Sequence, residues 1–211
     1  MVGANAETDA ELKLRRTQEL NLAGVATVEA IKSRLSARAD VEAVEVFQNT
    51  AAIEINGRPP HSVEVLIKGG DEAALATALF NLVGAGITYF GSVTRQITDS
   101  QGHQQTIRFS RPVEVPVFVE FTLSVTADYP ADGDDRVKAA ILAWGADAVI
   151  GRSVILLGSN ALACVIDDIP GITSLGMKVG RAADELKNEN LQIEPSELPT
   201  FDEANITIIK E

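Results

Sequence analysis

The stretch Asn56-Gly57-Arg58-Pro59-Pro60-His61-Ser62-Val63-Glu64-Val65-Leu66-Ile67-Lys68-Gly69-Gly70-Asp71, running on to Val83, decides how this 211-residue chain is read. Asn-Gly is a strong signal for a tight hairpin turn, because both central residues of a type I′ turn need positive φ. Pro59-Pro60 prevents helix and forces an extended entry. Val63, Val65 and Ile67 alternate with Ser62, Glu64 and Lys68, the period of a strand with one buried face. Leu66 breaks the alternation, which predicts cover on the second face as well. Gly69-Gly70 ends the strand, and Asp71 is placed to accept from the first free amides of a helix. Leu75, Leu79 and Leu82 then share one helical face.

Strand, glycine pair and helix together raise the question of a phosphate loop. A Walker loop needs G-x-x-x-x-G-K-[ST] and a dinucleotide fingerprint needs G-x-G-x-x-G; the sequence has neither. Asp71 also puts negative charge where a bound anion would sit. The glycines therefore read as a turn, with a small-molecule or regulatory site at Gly69-Gly70-Asp71 as the alternative.

Composition narrows the classes further. With 45% apolar and 23% charged residues, the balance is that of a globular protein with a real core. A net charge of −12 opposes binding to nucleic acid or to an anionic membrane. Cys164, the single cysteine, excludes an internal disulfide and a thiolate cluster. No apolar run is long enough to span a bilayer, and the acidic start has no secretory pattern, so synthesis in the cytoplasm is expected.

Working outward, Thr8-Asp9-Ala10-Glu11 has the spacing of a capping box and opens a charged helix over about 9–20. Val25, Val28, Ile31 and Leu35 predict an amphipathic helix, followed by a strand at Val41–Phe47 and another from Thr50 to Ile55 into the Asn56-Gly57 turn. Beyond Val83, residues 93–98 and 104–109 read as a hairpin around Asp99-Ser100-Gln101-Gly102. Val113, Val115, Val117, Val119, Phe121, Leu123 and Val125 form an unbroken alternation, and Pro116 within it predicts an open edge or a bulge. Acids at 132–135 suit a helix start, with Val137, Ile141 and Trp144 as its apolar stripe. A second helix is expected over Arg152–Ile166, then strands at 172–179, 191–193 and 205–209 with loops at 182–190 and 194–201.

The expected fold class is α+β, in two small domains that each pack helices on one face of a mainly antiparallel sheet. The divisions are a tail and charged helix (1–23), a first domain (24–110) and a second (111–211).

Candidate chemistry is sparse. His61 and His103 have no Ser, Cys or carboxylate partner at a recognisable spacing, and a hydrolase built on the two is the further alternative. Asp128, Asp132, Asp134 and Asp135 lack the register of a calcium loop and read as helix-start residues. Asp167-Asp168 is set against the dipole at a helix end, a mark of an interface or ion. Cys164, among Leu162, Val165 and Ile166, reads as a buried thiol, and Trp144 as core. No catalytic, cofactor-binding or metal residue is assigned, and no cofactor is expected.

Several of these stretches bring a family into view. Glu11–Arg16, Val44-Glu45-Val46-Phe47-Gln48-Asn49, Gly57–Val65 leading to Gly69-Gly70, then Gly86-Ile87, Gly91, Gly102, Phe109, Arg111-Pro112 and Ile169-Pro170-Gly171-Ile172 resemble the baseplate J-like proteins. These are wedge proteins of contractile phage tails and related injection machines. The likeness is strongest over 44–126. Such proteins usually carry a strand-rich region ahead of this part, so the resemblance implies a fragment, a reduced member, or a region supplied by another subunit. It also implies structural work without catalysis: contacts with wedge and hub proteins, self-association within the baseplate, and a place in the virion tail after assembly in the host cytoplasm.

Overall fold

The long alternating strand and the glycine-ended strand each anchor a sheet of their own in the computed structural model, which describes residues 27–83, 86–156 and 169–211. The chain falls into two compact units, Met1–Arg111 and Pro112–Glu211. Three helices and eight strands in mostly antiparallel sheets, among the described residues, make the class α+β. The charged helix expected over 9–20 lies outside the described residues.

In the first unit, helix α1 (Val28–Ser36) starts where the Thr27 hydroxyl accepts from the Ala30 amide. Strand β1 (Val41–Asn49) pairs antiparallel with β2 (Ser62–Gly69), and β3 (Thr88–Phe90) joins the other edge of β2 in parallel. Helix α2 (Glu72–Leu82) lies between β2 and β3 and is capped by the Asp71 carboxylate on the Ala74 amide, as its sequence predicts. Strands β4 (Val93–Thr98) and β5 (Gln104–Phe109) form the expected hairpin. Ile31 and Leu35 from α1, Leu75, Leu79 and Leu82 from α2, Val63, Val65 and Ile67 from β2, and Ile107 and Phe109 from β5 make one buried cluster. Leu66, on the opposite face of β2, is buried too, as its break in the alternation predicts.

Thr50–Ile55 departs from expectation. It is a loop, because the buried Asn49 side chain bonds the backbone here and β1 stops at its pair with Ser62. The tight turn survives on a smaller scale: Asn56 and Gly57 have φ of 51° and 76°, and Ile55 and Arg58 exchange two backbone hydrogen bonds around them.

The second unit is built on β6 (Val113–Val125), the middle strand of a three-stranded sheet. Val117, Val119, Phe121 and Leu123 all point into the core with Val137 and Ile141 of helix α3 (Gly133–Ala146), which is what the alternation demands. Strand β7 (Ile172–Gly180) runs antiparallel to β6 from Phe118 onward, and β8 (Glu197–Lys210) runs parallel along its other side. Pro116 therefore sits where β6 has β8 beside it and no β7 partner, next to a register shift at Val117/Val119; both expectations for that proline are met.

Two sequence expectations fail in this unit. Residues 152–156 begin no helix: Val154 exchanges backbone hydrogen bonds with Leu191, which also reduces the strand expected at 191–193 to a single bridge. The rest of the expected helix, 157–168, lies outside the described residues. The segment 194–201, expected as a loop, already belongs to β8 from Glu197 on. Pro199 is compatible with that because β8 is an edge strand, with a ladder on one side only.

Charge pairs fasten β8 at both ends. The Asp134 carboxylate, in the first turn of α3, accepts from the Lys210 ammonium at 2.9 Å and from the Tyr129 hydroxyl at 2.9 Å. Lys210 holds the Asp134 pKa below its ordinary 3.8, whereas burial first and Asp134 second push Tyr129 up to about 12. At the other end Arg181 forks onto Glu197 through two bonds of 2.8 and 2.7 Å and lowers its pKa from 4.5. Carboxylates depressed on folding contribute stability above their unfolded pKa, and that contribution is lost as pH falls through the folded value. Stability of this protein is accordingly expected to decline below pH 4.5 and further below 3.8. Lys210→Met should flatten the acid limb in urea midpoints measured against pH; an unaltered limb would show that Lys210 does not set it.

Candidate functional site

Asn49 ends β1 with its side chain 3% exposed, and that burial requires every polar atom to find a partner. Its amide donates to the carbonyls of Ile53, Arg58 and Pro59 at 2.8, 2.9 and 2.9 Å, and its oxygen accepts from the Ala51 amide. One side chain thereby fixes the whole path of residues 50–59. Ser62, fully buried, adds a bond from its hydroxyl to the Pro59 carbonyl. The Arg58 guanidinium lies 4.1 Å above the centre of the Phe47 ring and donates to Glu64 at 2.8 Å. Glu64 in turn accepts from the Ser110 hydroxyl at 2.7 Å. The motif from Asn49 to Glu64 is thus one connected network.

The second half of the opening stretch is tied from the same direction. Ser110 bonds to both sides of Leu66, donating to the Val65 carbonyl and accepting from the Ile67 amide. Arg111 follows, and its guanidinium donates to the carbonyls of Ile67, Gly69 and Gly70. Gly69 and Gly70 have φ of 79° and 74°, and a Cβ at Gly69 would meet the Asp40 carbonyl at 2.6 Å, so both glycines are demanded by the path of the chain. The turn presents carbonyls to an internal cation, the reverse of a loop whose amides cradle phosphate. Glu72 lies 3.7 Å from Arg111 and also pairs with Arg95.

Other residues singled out from sequence are dispersed. His61 is exposed just before β2 with φ of 50°, and His103 sits on the β4–β5 loop with Asp99 3.6 Å from its ring. No hydrogen bond or ion pair joins the two histidines. Asp99 organises that hairpin loop by accepting from Gln105, Gln101 and His103, and these bonds lower its pKa. Asp132 occupies the N-cap position of α3 yet makes no capping bond; its carboxylate pairs with Arg136 instead. Among the described residues no group of three or more His, Cys, Asp or Glu could hold a metal, and no helix is long and apolar enough to cross a membrane. Cys164 and Asp167-Asp168 lie outside the described residues.

Trp144 is half-buried rather than core, packed edge-to-face on Phe201 at 5.4 Å. It borders a cleft of about 560 Å³ with Asp147, Arg152, Ser153, Ile155 and Pro199. The Ser153 hydroxyl already donates to Gln192 and accepts from the Ile193 amide, and no histidine lines the cleft to activate it. A second cleft of about 470 Å³ lies beside the segment between β7 and Leu191.

Sequence reasoning missed Asn49 and Arg111 as organisers. Their partners lie up to ten residues away for Asn49 and more than forty for Arg111, so spacing alone carried no signal. Neither a known family model nor a curated protein matches the chain.

The Asn49 geometry gives a sharp test. Asn49→Asp keeps the shape but turns a donor into an anionic acceptor facing three carbonyls. It is expected to cost about 3 kcal/mol, since a buried charge loses its partners, seen as a lowered urea midpoint at pH 7 with unchanged m-value. Acidification should recover part of the loss as the new carboxyl protonates; a neutral outcome would show the network to be dispensable.

Proposed function

We propose that this chain is a structural baseplate wedge component of a contractile phage tail or tail-like injection particle, acting through protein–protein assembly around the tail hub. The observation that carries the reading is the network just described. Gly57–Val65 leading to Gly69-Gly70, the most specific part of the resemblance to baseplate J-like proteins, is tied internally by Asn49, Ser110 and Arg111, which belong to its flanking stretches. A signature committed to internal shape suits a scaffold better than a catalyst. The protein is accordingly read as a non-enzyme without cofactor, assembled in the host cytoplasm and resident in the virion tail.

The same network holds up a contact surface. Ile53 and Ile55, on the segment fixed by Asn49, are 68% and 44% exposed. Large apolar side chains on a preorganised loop can be buried against a partner with little ordering cost. Charge supports a protein partner over nucleic acid or membrane. Residues 112–211 carry seventeen Asp and Glu against seven Lys and Arg, so ten of the twelve net negative charges sit in the second unit. The partners are other wedge and hub proteins and further copies of this chain.

Co-expression with the tail proteins encoded beside it should yield particles in which several copies surround a hub in electron micrographs. Ile53→Asp with Ile55→Asp is expected to leave circular dichroism and thermal melting unchanged while abolishing incorporation into those particles. A wild-type chain that stays monomeric in the presence of every tail protein would overturn the proposal.

A further inference from the structure

We infer that Asn56 is a site of spontaneous deamidation in the folded protein, through a succinimide formed with Gly57. The reaction needs a side-chain amide followed by a backbone nitrogen that can reach it. The Gly57 nitrogen attacks the Asn56 side-chain carbonyl carbon, forming a C–N bond as the side-chain nitrogen leaves as ammonia. Water then opens the five-membered imide at either carbonyl, giving aspartate or isoaspartate. No oxidant, enzyme or cofactor takes part.

The sequence holds a single Asn-Gly pair, and glycine is the residue that least hinders the attack because it has no side chain. Both residues are exposed, and a Cβ built on Gly57 would meet nothing within 4 Å. The turn's two backbone bonds join Ile55 to Arg58 and use neither the Gly57 amide nor the Asn56 side chain. Asn49 presents the opposite situation. It is buried, its amide is bonded to three carbonyls, and the larger Thr50 follows it.

An internal comparison lies in the second unit. Asp132-Gly133, the one Asp-Gly pair in the sequence, could close the same imide with loss of water, but its geometry opposes it. The Gly133 amide donates to the Pro130 carbonyl at 2.9 Å, a Cβ there would collide with the Tyr129 ring at 2.3 Å, and the Asp132 carboxylate pairs with Arg136. Exposure and a free nitrogen at 57, against burial and an engaged nitrogen at 133, separate the two sites.

The products differ in effect. Aspartate at 56 adds one negative charge and keeps the turn. Isoaspartate routes the main chain through the side chain, lengthening it by one carbon between 56 and 57. That displaces Arg58 from Ile55 and strains the Arg58 carbonyl held by Asn49.

The test is peptide mapping of the intact, folded protein aged in mildly alkaline buffer at body temperature, with enzymatic methylation to detect isoaspartate. The expected result is the mass increase of an NH₂-to-OH exchange at Asn56, isoaspartate at 56, and none at Asp132. Asn56→Gly keeps a residue that accepts positive φ and should remove the signal. A native protein that stays unmodified while the same protein in denaturant converts at Asn56 would overturn the inference, since the folded turn would then be protective. Equal isoaspartate at 56 and 132 would overturn its geometric basis.

Discussion

The first unit depends on how three successive residues, Phe109, Ser110 and Arg111, close onto β2. A strand that gives way to a helix through two positive-φ glycines leaves carbonyls with no ladder to bond them, and a buried carbonyl without a donor is costly. Arg111 supplies donors to Ile67, Gly69 and Gly70 together, a task suited to a planar guanidinium and poorly suited to an ammonium. Ser110 completes the backbone pairing of Val65 and Ile67, and Phe109 fills the core beneath them. The β4–β5 hairpin is held to β2 as a consequence. Through Glu64 and Arg58 the same closure reaches the loop that Asn49 fixes.

The second unit solves its problem by simpler means. Its middle strand is buried by alternation alone, and its edges are set by β7 and β8. The Asp134–Lys210 and Arg181–Glu197 pairs are partly exposed, and isolated pairs of that kind add little in water. Their joint placement at the two ends of β8 is what matters, because each end of an edge strand is where fraying begins. Tyr129 covers Gly133 and donates to Asp134, so the start of α3 and the end of β8 share one anchor.

Elements whose information is local were legible in the sequence. The Asn56-Gly57 turn, the capped helix at Asp71, the hairpin at 93–109 and the alternation of β6 all follow from residues within a few positions of one another. The failures share a cause. Thr50–Ile55 has strand-like residues but is drawn off by one buried amide, and Glu197–Thr200 reads as a loop until β6 supplies a parallel partner more than eighty residues away. Propensity is overridden there by tertiary pairing. Asp132 follows the same logic in miniature: a residue suited to capping is taken by Arg136 one turn on.

That division bears on function. A site made for chemistry converges side chains on a shared open space and leaves some of them without structural partners. Here Asn49, Arg58, Glu64, Ser110 and Arg111 converge, yet each is bonded to the backbone or to another member. What the network leaves free is the outward side of residues 53–57, apolar at Ile53 and Ile55 and chemically reactive at Asn56-Gly57. A rigid frame that offers a small exposed apolar tip favours recognition by shape, with the entropy of ordering already paid during folding. The same exposure that makes the tip available to a partner makes its amide available to its neighbour's nitrogen. Burial by a partner would remove both properties together, so under the proposed function contact and chemical ageing would compete for one loop.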